Sequence, residues 1–298
     1  MSIRRALVLG SGGATGVAWE LGVLTGLSRA GLPLDADLVV GTSAGALVAA
    51  WLTTSGAVPA LDDARRDRAG RIGPNHVARL VAAQLHPSRR HALASLGARA
   101  MSTWTPVAEA GWVDRVGEGL SGLPWPASLV IVATDTTSGR PAFFSAGQPA
   151  DLAAAVAASC ALPGVFPAVR IDGRLHFDGG LRSPANLDVA ADADVLIAVA
   201  PLSAAVRANR RPVHQAAHLA KSGVRVVLIE PDRAGRAALG PDLLAPERSE
   251  RAFAAGLETG TRHAAEALAA WSSEPLPATH QNARQNARQN AHQDTHTL

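Results

Sequence analysis

The stretch Leu38-Val39-Val40-Gly41-Thr42-Ser43-Ala44-Gly45-Ala46-Leu47-Val48-Ala49-Ala50-Trp51-Leu52 decides how this chain folds. Leu38-Val39-Val40 is an apolar run short enough for a buried strand, and residues 46–52 form an apolar helix. Between them lies G-x-S-x-G, and a strand before it with a helix after it is the context in which that pattern forms a nucleophile elbow. The small residues follow from the geometry. A sharp strand-to-helix turn brings backbone segments together at Gly41, Ala44 and Gly45. It also forces Ser43 into a strained backbone conformation, aiming Oγ out of the sheet at a helix N-terminus. The plain alternative is an ordinary glycine-rich turn, since five-residue patterns recur by chance.

Upstream, Ala6-Leu7-Val8-Leu9 reads as a fully buried strand, broken by Gly10-Ser11-Gly12-Gly13-Ala14-Thr15-Gly16. Val17, Glu20, Leu21, Leu24 and Leu27 then keep a helical period that Gly31-Leu32-Pro33 ends. The first fifty residues are therefore βαβα, which predicts a parallel sheet covered on both faces. The glycine loop offers several N–H groups at a helix start, suited to a phosphate or an oxyanion. A dinucleotide site would also need an acid at the carboxyl end of the second strand to hold a ribose hydroxyl. Gly41-Thr42-Ser43 occupies that position, while Asp35 and Asp37 precede the strand, so nucleotide binding is disfavoured. Two loops at one sheet edge, one with a nucleophile and one with free N–H groups, suit acyl transfer.

Downstream, residues 61–120 carry an interrupted helical pattern: a charged stretch at 62–71, then amphipathic pieces near 77–85 and 91–101. They read as a helical insertion or cap. Leu129-Val130-Ile131-Val132-Ala133 returns to the sheet, and residues 140–144 follow the Gly139 turn as its hairpin partner. A helix at 151–159 leads into Cys160-Ala161-Leu162-Pro163-Gly164-Val165-Phe166-Pro167. A strand pair turning at Asp172-Gly173 then ends in His176-Phe177-Asp178-Gly179-Gly180. Buried strands at 195–199 and 224–229 and a helix at about 247–271 complete one α/β domain, residues 1–276. Residues 277–298 repeat Gln281-Asn282-Ala283-Arg284 and near copies with almost nothing to bury, the pattern of a disordered polar tail. Composition accounts for His280, His292 and His296 there without a metal.

The chain's 298 residues, 47% of them apolar, suffice for a sizeable core and exclude disorder throughout. Its 28 basic residues, all Arg except Lys221, meet 25 acids for a net charge of +3. Losing Arg284, Arg288 and Asp294 with the tail leaves +2 on the body. That is too little to draw it to anionic membranes, and the basic residues are not interleaved with aromatics as in nucleic-acid binders. Any contact with a lipid surface must come from local apolar or arginine-lined features around the cap. Cys160 stands alone, which excludes an intramolecular disulfide and fits a reducing compartment; it reads as a small buried apolar residue. The N-terminal residues run into a strand too short for a signal-peptide core, and no apolar run of ~18 residues follows. The expectation is a cytoplasmic protein whose membrane contact, if any, is peripheral. Trp19 and Trp51 are expected in the core or a pocket wall.

A serine nucleophile needs a base. His176, His214, His218 and His263 have no recognisable loop context, and His214 and His218, spaced i, i+4 on a polar stretch, read as a solvated face. Asp178 is the better candidate, an acid followed by two glycines just past a strand, where a tight turn presents the carboxylate.

Four segments in order resemble the landmarks of the patatin-like phospholipases: Ser11-Gly12-Gly13-Ala14-Thr15-Gly16, Gly41-Thr42-Ser43-Ala44-Gly45, the stretch Ala158-Ser159-Cys160-Ala161-Leu162-Pro163-Gly164-Val165-Phe166-Pro167, and Asp178-Gly179-Gly180. The resemblance covers about residues 6–190. It implies a three-layer α/β/α fold with a mostly parallel central sheet and a lipid acyl hydrolase of phospholipase A or carboxylesterase type. Ser43 would be the nucleophile and Asp178 its base without a catalytic histidine, and the N–H groups of Gly12, Gly13 and Ala44 would hold the oxyanion. Gly10, Ser11, Gly16, Gly41, Gly45, Gly179 and Gly180 would shape the loops. An acyl-enzyme on Ser43 and a lipid or lipid-like acyl ester substrate follow, with no metal or organic cofactor. An acyltransferase with the same dyad, or a catalytically weak lipid-binding protein, are the alternatives. Two departures stand out: Ser11 and Thr15 replace the family's usual Gly and Arg or Lys, which weakens the case for phospholipid preference more than for hydrolysis. The Asn-Pro-like segment after the dyad acid is the looser Ser183-Pro184-Ala185-Asn186.

Overall fold

Apolar side chains alternate along the central strands, so both faces of the sheet must be covered. The computed structural model describes residues 3–64, 85, 88–102 and 105–273. Most of the 62–71 charge run and of the 77–85 piece, Trp104 and the 277–298 tail lie outside the described residues. In chain order the first half comprises β1 (Arg5–Leu9), α1 (Gly13–Arg29), β2 (Leu38–Thr42), α2 (Ala44–Ser55), α3 (Leu61–Ala64), α4 (Arg89–Ser102), α5 (Pro106–Val116), β3 (Leu129–Asp135) and β4 (Pro141–Phe144). There follow α6 (Leu152–Ser159), β5 (Val169–Ile171), β6 (Arg174–Asp178), β7 (Val195–Val199), α7 (Pro212–Lys221), β8 (Arg225–Ile229), α8 (Arg233–Leu239) and α9 (Ser249–Trp271).

The strands form one sheet in the order β5-β6-β3-β2-β1-β7-β8, with β4 also paired to β3. The run from β3 through β2, β1 and β7 to β8 is parallel; β4 and β6 pair antiparallel to β3, and β5 antiparallel to β6. Leu7, Leu9, Val39, Val195, Ile197 and Val199 face a cluster built with α1, α2, α6 and α9. Ala6, Val8, Leu38, Val40, Leu196 and Ala198 face a smaller cluster with Ala216 and Leu219 of α7. The architecture is the expected three-layer α/β/α, with a mixed, mostly parallel sheet.

The hairpin partner of β3 and the strand pair turning at Asp172-Gly173 both form, which brings Asp178 to the end of β6. From the region expected to be a helical insertion, α4 seats Leu93 and Leu96 on Phe177, the neighbour of Asp178. One boundary differs: α1 begins at Gly13 rather than near Val17, because the glycine loop itself supplies the helix's first turn. Trp19 is fully buried and Trp51 packs half-buried against the core. Among the described residues no helix is long and apolar enough to cross a membrane.

Candidate active site

Ser43 lies between β2 and α2, as the N-cap of α2, with φ 54° and ψ −118°, a positive φ that a non-glycine residue adopts only under constraint. Such strain costs on the order of 1–3 kcal/mol and persists where the surroundings over-determine it. Here they do. The Ser43 N–H donates to Ser159 Oγ at 2.8 Å, Ser159 Oγ donates to the Val132 carbonyl at 2.7 Å, and the Cys160 thiol donates to the Ser43 carbonyl at 3.2 Å. The Gly45 N–H donates to the Gly10 carbonyl at 2.9 Å. A Cβ on Gly45 would overlap the Leu9 carbonyl, so the elbow sits against β1 only because that residue has no side chain. Ser159 was not singled out from the sequence; a hydroxyl in an otherwise alanine-rich apolar helix was the available signal.

Asp178 lies 6% exposed at the end of β6. Its Oδ2 accepts from Ser43 Oγ at 2.8 Å and its Oδ1 from the Gly180 N–H at 2.7 Å. Burial pushes the carboxyl up to about 6, against smaller lowering effects from the Gly180 N–H and the Ser43 hydroxyl. Lines of chain 135 residues apart thus meet, as the order of segments predicted. None of the described histidines lines the cavity at this pair. His176 is buried with its ring edge-on to Phe144, while His214 and His218 are exposed on α7. Among the described residues no three His, Cys, Asp or Glu side chains are grouped so as to hold a metal ion.

Two backbone segments converge beside the pair. Gly12 caps α1, and Gly13 opens it with φ 61° at a point where a Cβ would lie 2.5 Å from the Leu243 carbonyl oxygen. Ala44 opens α2. Their N–H groups take no acceptor among the described residues, as the first N–H groups of helices lack intrahelical partners. The loop is anchored below: the Gly10 N–H donates to Glu20 Oε1 at 2.8 Å and to the Val199 carbonyl at 3.0 Å, and the Ser11 N–H donates to the Pro184 carbonyl at 2.7 Å. Glu20 is fully buried, and desolvation pushes its carboxyl well above the ordinary range, only partly offset by the Gly10 N–H. The Ser183-Pro184-Ala185-Asn186 segment completes the frame, because Asn186 Nδ2 donates to Thr42 Oγ1 at 3.1 Å and to the Ser183 carbonyl at 3.0 Å.

Ser43 and Asp178 open into a cavity of about 540 Å³ whose apolar wall includes Leu47, Leu93, Trp112, Phe166 and Leu243. Trp112 stacks on Phe166 with ring centroids 4.0 Å apart and donates its indole N–H to the Ala157 carbonyl at 3.0 Å, so it is wall rather than surface anchor. Cys160 departs from expectation: it is half-buried and lines the cavity, because its thiol follows Ser159 round the end of α6 to the elbow. Sequence reasoning also missed three cations on the wall: Arg182, Arg207 and Arg210. Arg182 follows the Asp178-Gly179-Gly180 turn, and the other two lie in the loop after β7, where nothing in the local pattern marks a site.

A family model described as Patatin-like phospholipase matches residues 7–191. The chain belongs to the patatin-like phospholipases. The matched residues include the elbow, the glycine loop and the Asp178 turn. Uncharacterised NTE family proteins of Mycobacterium tuberculosis and Mycobacterium bovis are 34% identical over 201 residues, which is 66% of this chain and 49% of theirs. The chain thus spans about half the length of these curated relatives. Among solved structures, VipD from Legionella pneumophila aligns over 89% of this chain and 67% of its own, with TM-score 0.42 and 15% identity. The type III effector protein ExoU aligns over 89% of this chain and 53% of its own, with TM-score 0.39 and 18% identity.

Proposed function

We propose that this patatin-like phospholipase family member is a lipid acyl hydrolase of phospholipase A or carboxylesterase type, acting through Ser43 and Asp178 within a catalytic domain of residues 1–276. The observation that carries the reading is the 2.8 Å hydrogen bond from Ser43 Oγ to Asp178 Oδ2 on the wall of a largely apolar cavity. An apolar wall accepts an acyl chain by the same transfer that drives core burial. The Ser43 hydroxyl attacks the ester carbonyl while its proton passes to Asp178, and the N–H groups of Gly12, Gly13 and Ala44 take up the developing oxyanion charge. The bond to the alcohol then breaks, and the alkoxide collects the proton from Asp178. Water attacks the acyl-Ser43 ester, giving its proton to Asp178; the fatty acid departs and Ser43 regains the proton.

The elbow's strain and the unpartnered N–H groups support this reading, since both cost stability in a protein without such a reaction to perform. Membrane contact would be peripheral and the location cytoplasmic. A serine-directed fluorophosphonate should label Ser43, and Ser43→Ala should abolish both labelling and release of fatty acid from short-chain esters and lysolipids. Wild-type turnover in Ser43→Ala would falsify the assignment.

A further inference from the structure

Ser43 and Asp178 are presented by strands that are not neighbours. The sheet order puts β3 between β2 and β6, so the strands that carry the pair run about 10 Å apart, two strand spacings, each paired to β3 and not to the other. Ser159 ties the Ser43 N–H to the Val132 carbonyl, which anchors the elbow to β3 alone. Sheet pairing therefore leaves the separation of the two loops to side chains, and one side chain spans it. Asn186 is fully buried in the left-handed conformation, with φ 53° and ψ 43°. Its Nδ2 donates to Thr42 Oγ1 at 3.1 Å, on the residue before Ser43, and to the Gly179 carbonyl at 3.4 Å, on the residue after Asp178. The same nitrogen donates to the Ser183 carbonyl at 3.0 Å, and Oδ1 accepts from Arg182 Nη1 at 2.6 Å. These partners fix which way the amide faces. Turned over, it would set its oxygen against two carbonyl oxygens and its NH2 group against a guanidinium, and neither arrangement can form a hydrogen bond.

We propose that Asn186 is a positioning residue for the pair, holding the elbow and the Asp178 turn at the separation that lets Ser43 Oγ bond to Asp178 Oδ2. This rests on the hydrolase reading of Ser43 and Asp178. The amide is remote from the ester and acts only through Thr42 and Gly179, the chain neighbours of the two reacting groups. The left-handed backbone suits this use of asparagine, which tolerates that conformation better than most residues and carries a short amide that reaches nearby main chain.

The test uses Thr42→Val, Thr42→Ser and Asn186→Gly, with kcat, KM and the pH profile measured on a soluble ester. Thr42→Val keeps the branched shape and every charge of the site but removes the Asn186 acceptor beside Ser43. Since a displacement of ~1 Å at the reacting groups can cost about a hundredfold, kcat should fall between about ten- and a hundredfold, with KM within about twofold of wild type. The acid limb should also move above its wild-type midpoint, because a looser pair loses the lowering influence of the Ser43 hydroxyl on Asp178. Thr42→Ser, which retains the hydroxyl, should restore both. Asn186→Gly keeps the left-handed backbone without the amide and should lower kcat at least as far, and adding Thr42→Val to it should cost little more, the bridge being already broken. Where Asn186→Gly does not fold, Thr42→Val decides alone. Wild-type kcat in folded Thr42→Val overturns the proposal, even if its urea midpoint drops, and so does a lowered kcat with the acid limb unmoved. A wild type that neither turns over the ester nor is labelled at Ser43 by the fluorophosphonate overturns the hydrolase reading, and this proposal with it; a labelled, active wild type with unaltered variants overturns this proposal only.

Discussion

Replacing Asp178 with Asn should destroy turnover and at the same time stabilise the fold, in a pH-dependent manner whose size follows from the burial of the carboxylate. Its folded value is about 6 against an ordinary 3.8, because desolvation outweighs the hydrogen bonds from Gly180 and Ser43. The folded state therefore holds the proton more tightly than the unfolded chain between those two values. A group raised in this way contributes full stability below 3.8, and that contribution is lost as the pH rises through about 6. The difference of some two units corresponds to ~3 kcal/mol at pH 8, of which about 1 kcal/mol has already been lost at pH 4.5. Asn removes the charge but keeps an acceptor for the Gly180 N–H, and Ser43 can turn its hydroxyl to accept from the amide. Urea unfolding followed by tryptophan fluorescence should show a higher midpoint for Asp178→Asn at pH 8 and a much smaller advantage at pH 4.5. A destabilised variant, or an advantage that does not change between those pH values, would refute the reasoning, because it would mean that no ionised, desolvated carboxylate is present to serve as the base.

Two further outcomes follow from the same site. For the wild type, log kcat/KM on a soluble ester should fall with a slope of about one below a midpoint near 6, since Asp178 must be ionised to accept the Ser43 proton; an acid limb near 4 would contradict its burial. Ser159→Ala should leave the Ser43 N–H buried without its acceptor, costing ~1–3 kcal/mol in unfolding free energy, and should lower kcat about tenfold with less effect on KM; unaltered kinetics would release Ser159 from any part in holding the elbow.

The elbow and the glycine loop were legible because their physical requirements are local. Positive φ at Ser43, close approach at Gly45 and free N–H groups at Gly12 and Gly13 all arise within a few residues of a strand end. Asp178 was legible for a similar reason, as an acid at a strand end followed by two glycines. What the sequence hid depends on distant pairing. Ser159 matters because α6 ends under the elbow, Glu20 because its carboxyl turns back beneath Gly10, and Cys160 reaches the cavity only as a result of the same helix end. The arginines are the clearest case. Arg182 is separated by β7 from Arg207 and Arg210, and a net charge of +3 spread over 298 residues gives no hint that three cations share one wall.

A carboxylate of ordinary acidity is a poor base for a hydroxyl, and the same burial that costs stability answers that difficulty. On the mechanism proposed above, with its value near 6 Asp178 binds a proton more tightly than an ordinary carboxylate yet remains roughly nine-tenths ionised at pH 7, so its strength as a base would rise with little loss of the ionised form. This balance would fail if the neighbouring arginines acted on Asp178, because a close cation would pull the carboxyl down again. The influences on Asp178 are burial, the Gly180 N–H and the Ser43 hydroxyl, with none of the three guanidiniums among them. The cations act on Arg210 and Asp188 instead. The influences on Asp178 and those on Asp188 thus come from different groups: burial, an N–H and a hydroxyl at Asp178, and the guanidiniums of Arg182 and Arg210 at Asp188.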